Sequence, residues 1–311
     1  MERNTHLMTE KLVHGVYAAL LTPRRGDDSV DEAAFQSLLE FLLARGVSGF
    51  ALNGATGEFC LTTPQHLRAL FFVVHRTGSN PRILCGIGAA GAAGAIELGK
   101  IAAGEGAQAV LLPMPYFFPY RQEDLEAFVH TVAASVPLPI LLYNLPSFTS
   151  GLDPETSCRL IREVPNVIGI KDSGESPVTL RLLTRQQIAA CRMVGNDGLL
   201  VDALRERICD GVVSGVACVL PELIRAIFDE RQDTNSARFA RLSELLNDFR
   251  DQLGKAPVPW ALKWIAEARG ICNAVFSQPV AEVRRQQGRE LTEWYRQWQA
   301  KLSPIAIRVR E

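Results

Sequence analysis

Eight short apolar runs, each followed by a longer amphipathic stretch, constrain the fold of this chain more than any other feature. The runs lack a clear period of two, which is typical of parallel strands covered on both faces. Helix-start signals such as Asp31, Thr63-Pro64 and Asp153-Pro154 open amphipathic stretches. Eight β–α units in about 220 residues, without a linker-like segment, favour an α/β fold of the closed (β/α)8 TIM-barrel type over an open doubly wound sheet. The strand candidates are Val16–Leu21, Gly49–Leu52, Ile83–Cys85, Ala109–Leu112, Ile140–Tyr143, Val167–Lys171, Arg192–Gly195 and Gly211–Ser214.

The pattern becomes wholly helical after the eighth strand. Helical periodicity covers Pro221–Asp229, Asn235–Leu253, Pro259–Ala268 and Val280–Leu302. We expect this C-terminal helical extension to pack on the barrel or on a neighbouring subunit. The predicted organisation is an N-terminal arm (1–14), a barrel with its active site at the strand C-termini (15–220), and a C-terminal helical region (221–311).

Composition excludes several classes of function. With 47% hydrophobic residues, 22% charged residues and a formal net charge of −1, the chain offers no field for nucleic acid or an anionic membrane. No apolar run is long enough to span a bilayer, and Met1–Glu10 is polar, unlike a signal sequence. The seven cysteines have no CxxC spacing and the five histidines form no ligand pattern. We therefore expect reduced thiols, a cytoplasmic location and no metal.

One glycine-rich motif suggests a nucleotide site that its surroundings do not support. Gly86–Gly91 fits G-x-G-x-x-G, but a dinucleotide site also needs an acidic residue at the end of the next strand. That strand ends in Leu112-Pro113-Met114. The stretch is better interpreted as a tight βα turn and a closely packed helix.

Lys171 is the first candidate for chemistry. It ends the apolar run Val167–Lys171 and precedes Asp172-Ser173-Gly174, whereas the other five lysines lie in polar or helical segments. A lysine can snorkel out of a strand end, but an ammonium gains little there unless chemistry uses it. In apolar surroundings a neutral amine becomes accessible and can attack a ketone, which gives a Schiff base that acts as an electron sink.

Two other strand ends carry groups that suit this chemistry. After the second strand, Gly54-Ala55-Thr56-Gly57-Glu58 is a turn whose glycines let backbone amides approach a ligand. With the Thr56 hydroxyl it suits the carboxylate of a 2-oxo acid, although it could be an ordinary turn that Thr56 caps. At the fifth strand end, Tyr143 stands one strand away from Lys171, where a phenol can relay protons.

Three segments together resemble a known superfamily. Gly54–Glu58, Tyr143–Pro146 and Gly169–Asp172 are similar, in order and spacing, to the G-x-T-G-E, Y-N-x-P and G-x-K-D signatures of the dihydrodipicolinate synthase / N-acetylneuraminate lyase superfamily. The resemblance extends from about Gly15 to Trp294. It implies a homotetramer, a dimer of dimers, of (β/α)8 barrels with neither a metal nor an organic cofactor.

The same resemblance implies roles for individual residues. Lys171 looks like the lysine that forms the Schiff base with pyruvate or a longer 2-oxo acid, and Tyr143 like the phenol that relays protons. Thr56 and the backbone around Gly54, Ala55 and Gly57 would hold the carboxylate of that acid.

Three positions depart from the synthase pattern. Ala55 replaces a threonine that links the tyrosine to a second tyrosine from the neighbouring subunit, and that second tyrosine falls at Phe117. Phe148 replaces an arginine that meets carboxylates at the cleft entrance. Loss of all three groups disfavours aspartate semialdehyde as a substrate. Phe117 and Phe148 instead predict an apolar wall for a longer carbon chain.

The remaining loop positions favour the sugar-acid branch of the superfamily, whose members cleave or dehydrate 2-oxo-3-deoxy acids or 4-hydroxy-2-oxo acids. Several side chains after strands six to eight could hydrogen-bond a polyol or a distal carboxylate, although some of these types are also common helix caps. They are Ser173, Glu175, Asn196, Asp197 and Ser214.

The leading hypothesis is a cofactor-free lyase that reversibly cleaves such an acid through Lys171. The first alternative is dihydrodipicolinate synthase (4-hydroxy-tetrahydrodipicolinate synthase), which condenses pyruvate with aspartate semialdehyde. A second is a 2-oxo-3-deoxy sugar-acid dehydratase. A catalytically idle sensor of 2-oxo acids would explain the missing relay hydroxyls, but Lys171, Tyr143 and Thr56 argue against it.

Overall fold

The computed structural model describes residues 12–303, and its centre is a closed barrel of eight parallel strands that follow one another in chain order. The last strand pairs with the first, from Gly15 opposite Gly211 to Ala18 opposite Ser214, which closes the sheet. The predicted TIM barrel is confirmed. The strands are β1 Gly15–Ala19, β2 Gly49–Leu52, β3 Ile83–Gly86, β4 Ala109–Pro113, β5 Ile140–Asn144, β6 Val167–Asp172, β7 Cys191–Val194 and β8 Gly211–Ser214.

A helix follows each strand, and the start signals in the sequence act as caps at two of them. The Asp31 side chain accepts a hydrogen bond from the Ala34 amide, and Thr63 accepts one from His66. Asp153 makes no such bond, although Pro154 still opens its helix. The barrel helices are α1 Glu32–Leu43, α2 Pro64–Arg76, α3 Ala92–Gly104, α4 Gln122–Ala133, α5 Pro154–Glu163, α6 Val178–Arg185, α7 Leu200–Arg205 and α8 Val216–Val219.

The C-terminal region is helical and packs on the barrel itself. It consists of α9 Pro221–Asp229, α10 Ala237–Leu253, α11 Val258–Ala268 and α12 Glu282–Trp298, followed by a 3-10 turn at Gln299–Leu302. Helix α11 contacts α8, and α10 contacts a 3-10 turn, Asp197–Leu199, that follows β7. The helical region therefore reaches the end of the barrel at which the strands finish. Most of the predicted N-terminal arm, residues 1–11, and the final residues 304–311 lie outside the described residues.

Hydrophobic side chains pack on both faces of the barrel sheet. The outer layer lies between sheet and helices, and the inner layer fills the barrel with side chains such as Leu84, Leu111, Leu141 and Met193. Because apolar side chains fill the barrel interior, the barrel is not a pore, and the polar side chains at the strand ends lie above this packed core. No helix within residues 12–303 is long and apolar enough to cross a membrane.

Candidate active site

Lys171 and Tyr143 are direct neighbours because of the register of β5 and β6, in which Tyr143 pairs with Lys171 and Asn144 with Asp172. Both side chains are buried, with Lys171 3% and Tyr143 2% exposed. The Lys171 Nζ lies 3.8 Å from the centre of the Tyr143 ring. The amine therefore lies over the face of the phenol, an arrangement in which the ring attracts a cation.

The Tyr143 hydroxyl forms no hydrogen bond with any other residue between 12 and 303. Ala55 presents a methyl group where the dihydrodipicolinate synthase pattern has a threonine hydroxyl. The hydrogen-bonding capacity of the phenol is therefore unused by the described residues.

The residues that follow this pair lock the two strand ends together. The Asn144 side-chain amide donates to Asp172 Oδ1 over 3.1 Å, and the Gly174 amide donates to the same oxygen over 3.0 Å. Burial raises the pKa of Asp172, and hydrogen bonds from Gly174, Thr179 and Asn144 oppose that rise. This network fixes the backbone that carries Lys171 and Tyr143.

Gly195, at the end of β7, provides the space in which Lys171 extends. A Cβ atom there would lie 2.9 Å from Lys171 Cε and 2.1 Å from Ser173 Oγ, so a larger residue would displace both. The Ser173 hydroxyl is buried and has no hydrogen-bond partner among the residues described. Ser173 therefore places an unused hydrogen-bonding group beside Lys171.

Asp197 brings a carboxyl group to the same space. Its Oδ2 accepts a hydrogen bond from the Val216 amide over 3.1 Å, whereas its buried Oδ1 has no partner within the described part of the chain. Burial raises the pKa of Asp197. Hydrogen bonds from Ser214 and Val216, and then the charges of Arg250 and Lys171, oppose that rise.

Two of the predicted substrate-binding side chains already serve the local structure. Asn196 accepts from the Gly198 amide over 2.9 Å and donates to the Gly174 carbonyl over 3.0 Å. Ser214 accepts from the Ala217 amide over 2.8 Å at the start of α8. These bonds favour the capping role that the sequence also allowed, and substrate binding by Asn196 and Ser214 stays a prediction.

The turn Gly54–Glu58, which the sequence predicts to bind the carboxylate, is tightly wound. The Gly57 amide donates to the Gly54 carbonyl and the Glu58 amide to the Ala55 carbonyl, each over 3.0 Å. The amides of Ala55 and Thr56 take part in no hydrogen bond within residues 12–303. Together with the Thr56 hydroxyl, these amides can donate hydrogen bonds to an anionic oxygen.

Thr56 faces the same space as Asp197. A Cβ atom built on Gly215, just after β8, would lie 3.4 Å from Thr56 Oγ1 and 3.9 Å from Asp197 Oδ2. The turn and the β7 end therefore meet across the end of β8, and the barrel mouth is lined by Thr56, Tyr143, Lys171, Ser173 and Asp197.

Phe117 and Phe148 lie on the loops after β4 and β5 and are largely exposed, by 85% and 65%. Phe117 adopts a φ of +90°, a strained value for a bulky residue, and packs edge-on against Phe118 with ring centres 5.0 Å apart. Phe118 is also exposed. The apolar wall predicted from these residues stays a prediction.

Lys263 lies in a helix, as predicted for the lysines other than Lys171, and the structure adds that it is buried there. This residue is 2% exposed, and its Nζ lies 2.5 Å from Glu58 Oε2. The sequence carried a signal, because Lys263 is the sole charge in the apolar run Trp260–Ala266. A helix that is apolar on all sides is buried, so a charge within it needs a partner.

Comparison with known proteins places the fold and these motifs in one family. A sequence profile of the dihydrodipicolinate synthetase family matches residues 12–297. The chain belongs to this family. The predictions of the superfamily and of an enzyme, a carbon–carbon lyase of the dihydrodipicolinate synthase family, are confirmed by this match.

Individual relatives support this family assignment. The chain is 33% identical to the 4-hydroxy-tetrahydrodipicolinate synthase of Nitratidesulfovibrio vulgaris over 69% of this chain and 75% of that protein. It superposes on the solved 4-hydroxy-tetrahydrodipicolinate synthase of Methylacidiphilum fumariolicum SolV with a TM-score of 0.85 and 26% identity, over 94% of this chain and 98% of that one. N-acetylneuraminate lyase from Mycoplasma synoviae shares the fold, with a TM-score of 0.78 and 21% identity over 91% and 98% of the two chains.

Proposed function

We propose that Lys171 forms a Schiff base with pyruvate or another 2-oxo acid, and that the enzyme makes or breaks the carbon–carbon bond next to it without a metal or an organic cofactor. The observation that carries this proposal is the buried Lys171 amine, which lies 3.8 Å from the centre of the Tyr143 ring. Nearby, the Ser173 hydroxyl and the amides of Ala55 and Thr56 have no hydrogen-bond partner among the described residues.

The proposed chemistry starts on the ketone carbon. The neutral Lys171 amine attacks C2 of the 2-oxo acid to give a carbinolamine, and loss of water gives the protonated Schiff base. Tyr143 supplies and removes the protons of these steps. Loss of a proton from C3 leaves an enamine, which can attack an aldehyde; the reverse sequence cleaves the bond. The turn Gly54–Glu58 holds the carboxylate of the acid through the Ala55 and Thr56 amides and the Thr56 hydroxyl.

The first candidate reaction is the condensation of pyruvate with aspartate semialdehyde. It is supported by relatives named 4-hydroxy-tetrahydrodipicolinate synthase, one of them 29% identical over 94% of this chain and 99% of the Sorangium cellulosum protein. The solved dihydrodipicolinate synthase from Acinetobacter baumannii, 26% identical, was crystallised with pyruvate. These names favour condensation over the cleavage reaction that the sequence alone placed first.

The second candidate is aldol cleavage of a 2-oxo-3-deoxy sugar acid or a 4-hydroxy-2-oxo acid. Three positions support it, because Ala55, Phe117 and Phe148 lack the hydroxyl, phenol and guanidinium of the synthase pattern. The unpartnered Ser173 Oγ and Asp197 Oδ1 offer hydrogen bonds to the hydroxyl groups of a longer substrate.

The proposed assembly is a homotetramer, and the proposed location is the cytoplasm. The neighbouring exposed rings Phe117 and Phe118, together with Phe148, support an interface with a second copy, because monomers rarely leave contiguous aromatic groups in water. Sedimentation of the purified chain tests the assembly.

A coupled assay decides between the two reactions. The kcat/KM for pyruvate with aspartate semialdehyde is compared with pyruvate release from a panel of 2-oxo-3-deoxy and 4-hydroxy-2-oxo acids. A higher value for condensation supports the first candidate, and a higher value for any panel member supports the second. Failure of both, with no pyruvate bound to Lys171, would contradict the proposed function.

A further inference from the structure

A buried ion pair joins the C-terminal helical region to the turn that holds the carboxylate. Lys263 of α11 and Glu58, the last residue of Gly54–Glu58, have side chains only 3% and 10% exposed, with 2.5 Å between Lys263 Nζ and Glu58 Oε2. The same ammonium donates to the Val275 carbonyl over 3.0 Å and lies 5.6 Å from the centre of the Phe276 ring. The charge of Glu58 is therefore fixed to a helix distant in sequence.

The backbone of Glu58 adopts a conformation that is unfavourable for a residue with a side chain. Its φ of 57° and ψ of 52° place it in the left-handed region, which residues other than glycine rarely adopt. This conformation turns the chain from the Gly54–Glu58 turn into the 3-10 helix Phe59–Leu61. A side-chain anchor at Glu58 therefore controls how the turn ends.

Gly57, the residue before Glu58, is fastened to the barrel. The Thr22 hydroxyl donates to the Gly57 carbonyl over 2.9 Å, and a Cβ atom on Gly57 would lie only 3.0 Å from the Leu20 carbonyl. The free amides of Ala55 and Thr56 lie between Gly54 and these two anchors. The directions in which these two amides point therefore depend on the Glu58 side chain and on the contacts of Gly57.

Helix α11 also approaches the turn near its hydroxyl group. The Cβ position built on Gly215 is 3.3 Å from Leu262 Cδ1 and 3.4 Å from Thr56 Oγ1, so Leu262 and Thr56 flank the same point. Of two consecutive residues of α11, Leu262 thus lies beside Gly215, next to Thr56, and Lys263 pairs with the end of the turn.

We propose that the Lys263–Glu58 ion pair positions the Gly54–Glu58 turn and thereby sets the affinity for the carboxylate of the 2-oxo acid. This inference rests on the proposed function. Lys263 and Glu58 are positioning residues: they act through the Ala55 and Thr56 amides and leave the steps at Lys171 unchanged. They should affect binding more than turnover.

The test uses the full-length double variant Glu58→Gln/Lys263→Met, which removes both buried charges and avoids leaving one unpaired. Lys263→Arg keeps the charge and serves as the conservative rescue. Lys301→Met is the matched control, because Lys301 pairs with Asp248 over 3.2 Å in the same helical region, with both side chains about half exposed.

Two quantities are measured for each protein. The first is the pyruvate concentration that gives half-maximal borohydride-trapped adduct on Lys171. The second is hydrogen–deuterium exchange of the peptide covering residues 53–61. We expect the double variant to raise the half-saturating concentration about tenfold, with the saturated adduct yield within about twofold, and to exchange faster in that peptide. Lys263→Arg should recover most of the affinity, and Lys301→Met should match the wild type.

Unchanged half-saturation in the double variant would overturn the proposal, whether or not exchange became faster. Equal loss of affinity in Lys301→Met would also overturn it, since the effect would then be a general one of the helical region. If the wild-type protein trapped no pyruvate at all, the proposed function would fail. The positioning role would then be tested only by hydrogen–deuterium exchange of the peptide covering residues 53–61 in the double variant. Unchanged exchange would then reject that role.

Discussion

The two halves of the barrel mouth are built in different ways. On one side, Lys171 and Tyr143 lie on paired strands whose register, closed by the Asn144–Asp172 hydrogen bond, places them together. The other half consists of the loops that follow the strands, among them the exposed loops of Phe117 and Phe148 and the loop of Asn196 and Asp197 after β7. The strand half carries the groups proposed for chemistry, and the loop half carries the positions that depart from the synthase pattern. A barrel fold allows the reacting groups on the strands to stay the same while the substrate changes, because the loops can change in sequence without disturbing the sheet.

Replacing the amine on the strand half should have the largest effect. Lys171→Arg should abolish turnover, because a guanidinium stays protonated and cannot attack the ketone. Steady-state assays of condensation and cleavage measure this, with Lys100→Arg on the exposed face of α3 as the control. Turnover retained in Lys171→Arg would assign the chemistry to another residue.

Replacing the phenol should have the next largest effect. Tyr143→Phe should lower kcat by about 10²–10⁴-fold, the usual result of losing a positioned proton-transfer group. The adduct on Lys171 should still form. Tyr17→Phe is a suitable control, because Tyr17 belongs to the same inner layer but bonds Gln108, away from the mouth. Near wild-type turnover in Tyr143→Phe would move the proton relay to another group, such as water.

A change on the loop half should alter substrate choice and spare the chemistry. Phe148→Arg restores the guanidinium of the synthase pattern, and a hydrogen bond to a charged group contributes about 1.5–3 kcal/mol, or roughly one to two decades. We expect kcat/KM with aspartate semialdehyde to rise by that factor while pyruvate trapping is unchanged. Phe72→Arg, at an exposed phenylalanine of α2, is the control. No gain would mean that Phe148 does not face the second substrate.

The smallest expected effect concerns the pH dependence of stability. Burial raises the pKa of Asp197, so the folded state keeps a proton that the unfolded state releases above about pH 4. The free energy of unfolding therefore falls as pH rises from that value through the folded pKa. Asp197→Asn should make this fall shallower in urea titrations between pH 4 and 8, whereas the exposed Asp202→Asn should not. Identical slopes for wild type and Asp197→Asn would contradict the account.

The strand half could be predicted from the sequence almost completely. Apolar runs define buried parallel strands, and the carboxyl ends of such strands meet at one end of a barrel, so Tyr143 and Lys171 had to be close. The predicted run Ile140–Tyr143 differs from β5 by one residue, Asn144. That residue extends the pairing and makes the bond to Asp172.

The loop half could be predicted only in part. Asn196 and Asp197 are adjacent residues of similar type, yet Asn196 is used in loop hydrogen bonds and Asp197 keeps a free buried oxygen within the described chain. The geometry of the loop decides which side chain is used in local hydrogen bonds, and the hydrophobic periodicity of the sequence does not predict that geometry. Lys263 was missed because its partner, Glu58, is distant in sequence and only the packing of α11 brings them together.

The most direct test of the central claim is covalent trapping on the wild-type protein. The chain is treated with pyruvate and borohydride, digested, and examined by mass spectrometry, with a pyruvate-free sample as the control. We expect a reduced pyruvate adduct on the peptide that contains Lys171 and none on the peptide that contains Lys263, which is also buried. An adduct on a different lysine, or no adduct at saturating pyruvate, would contradict it.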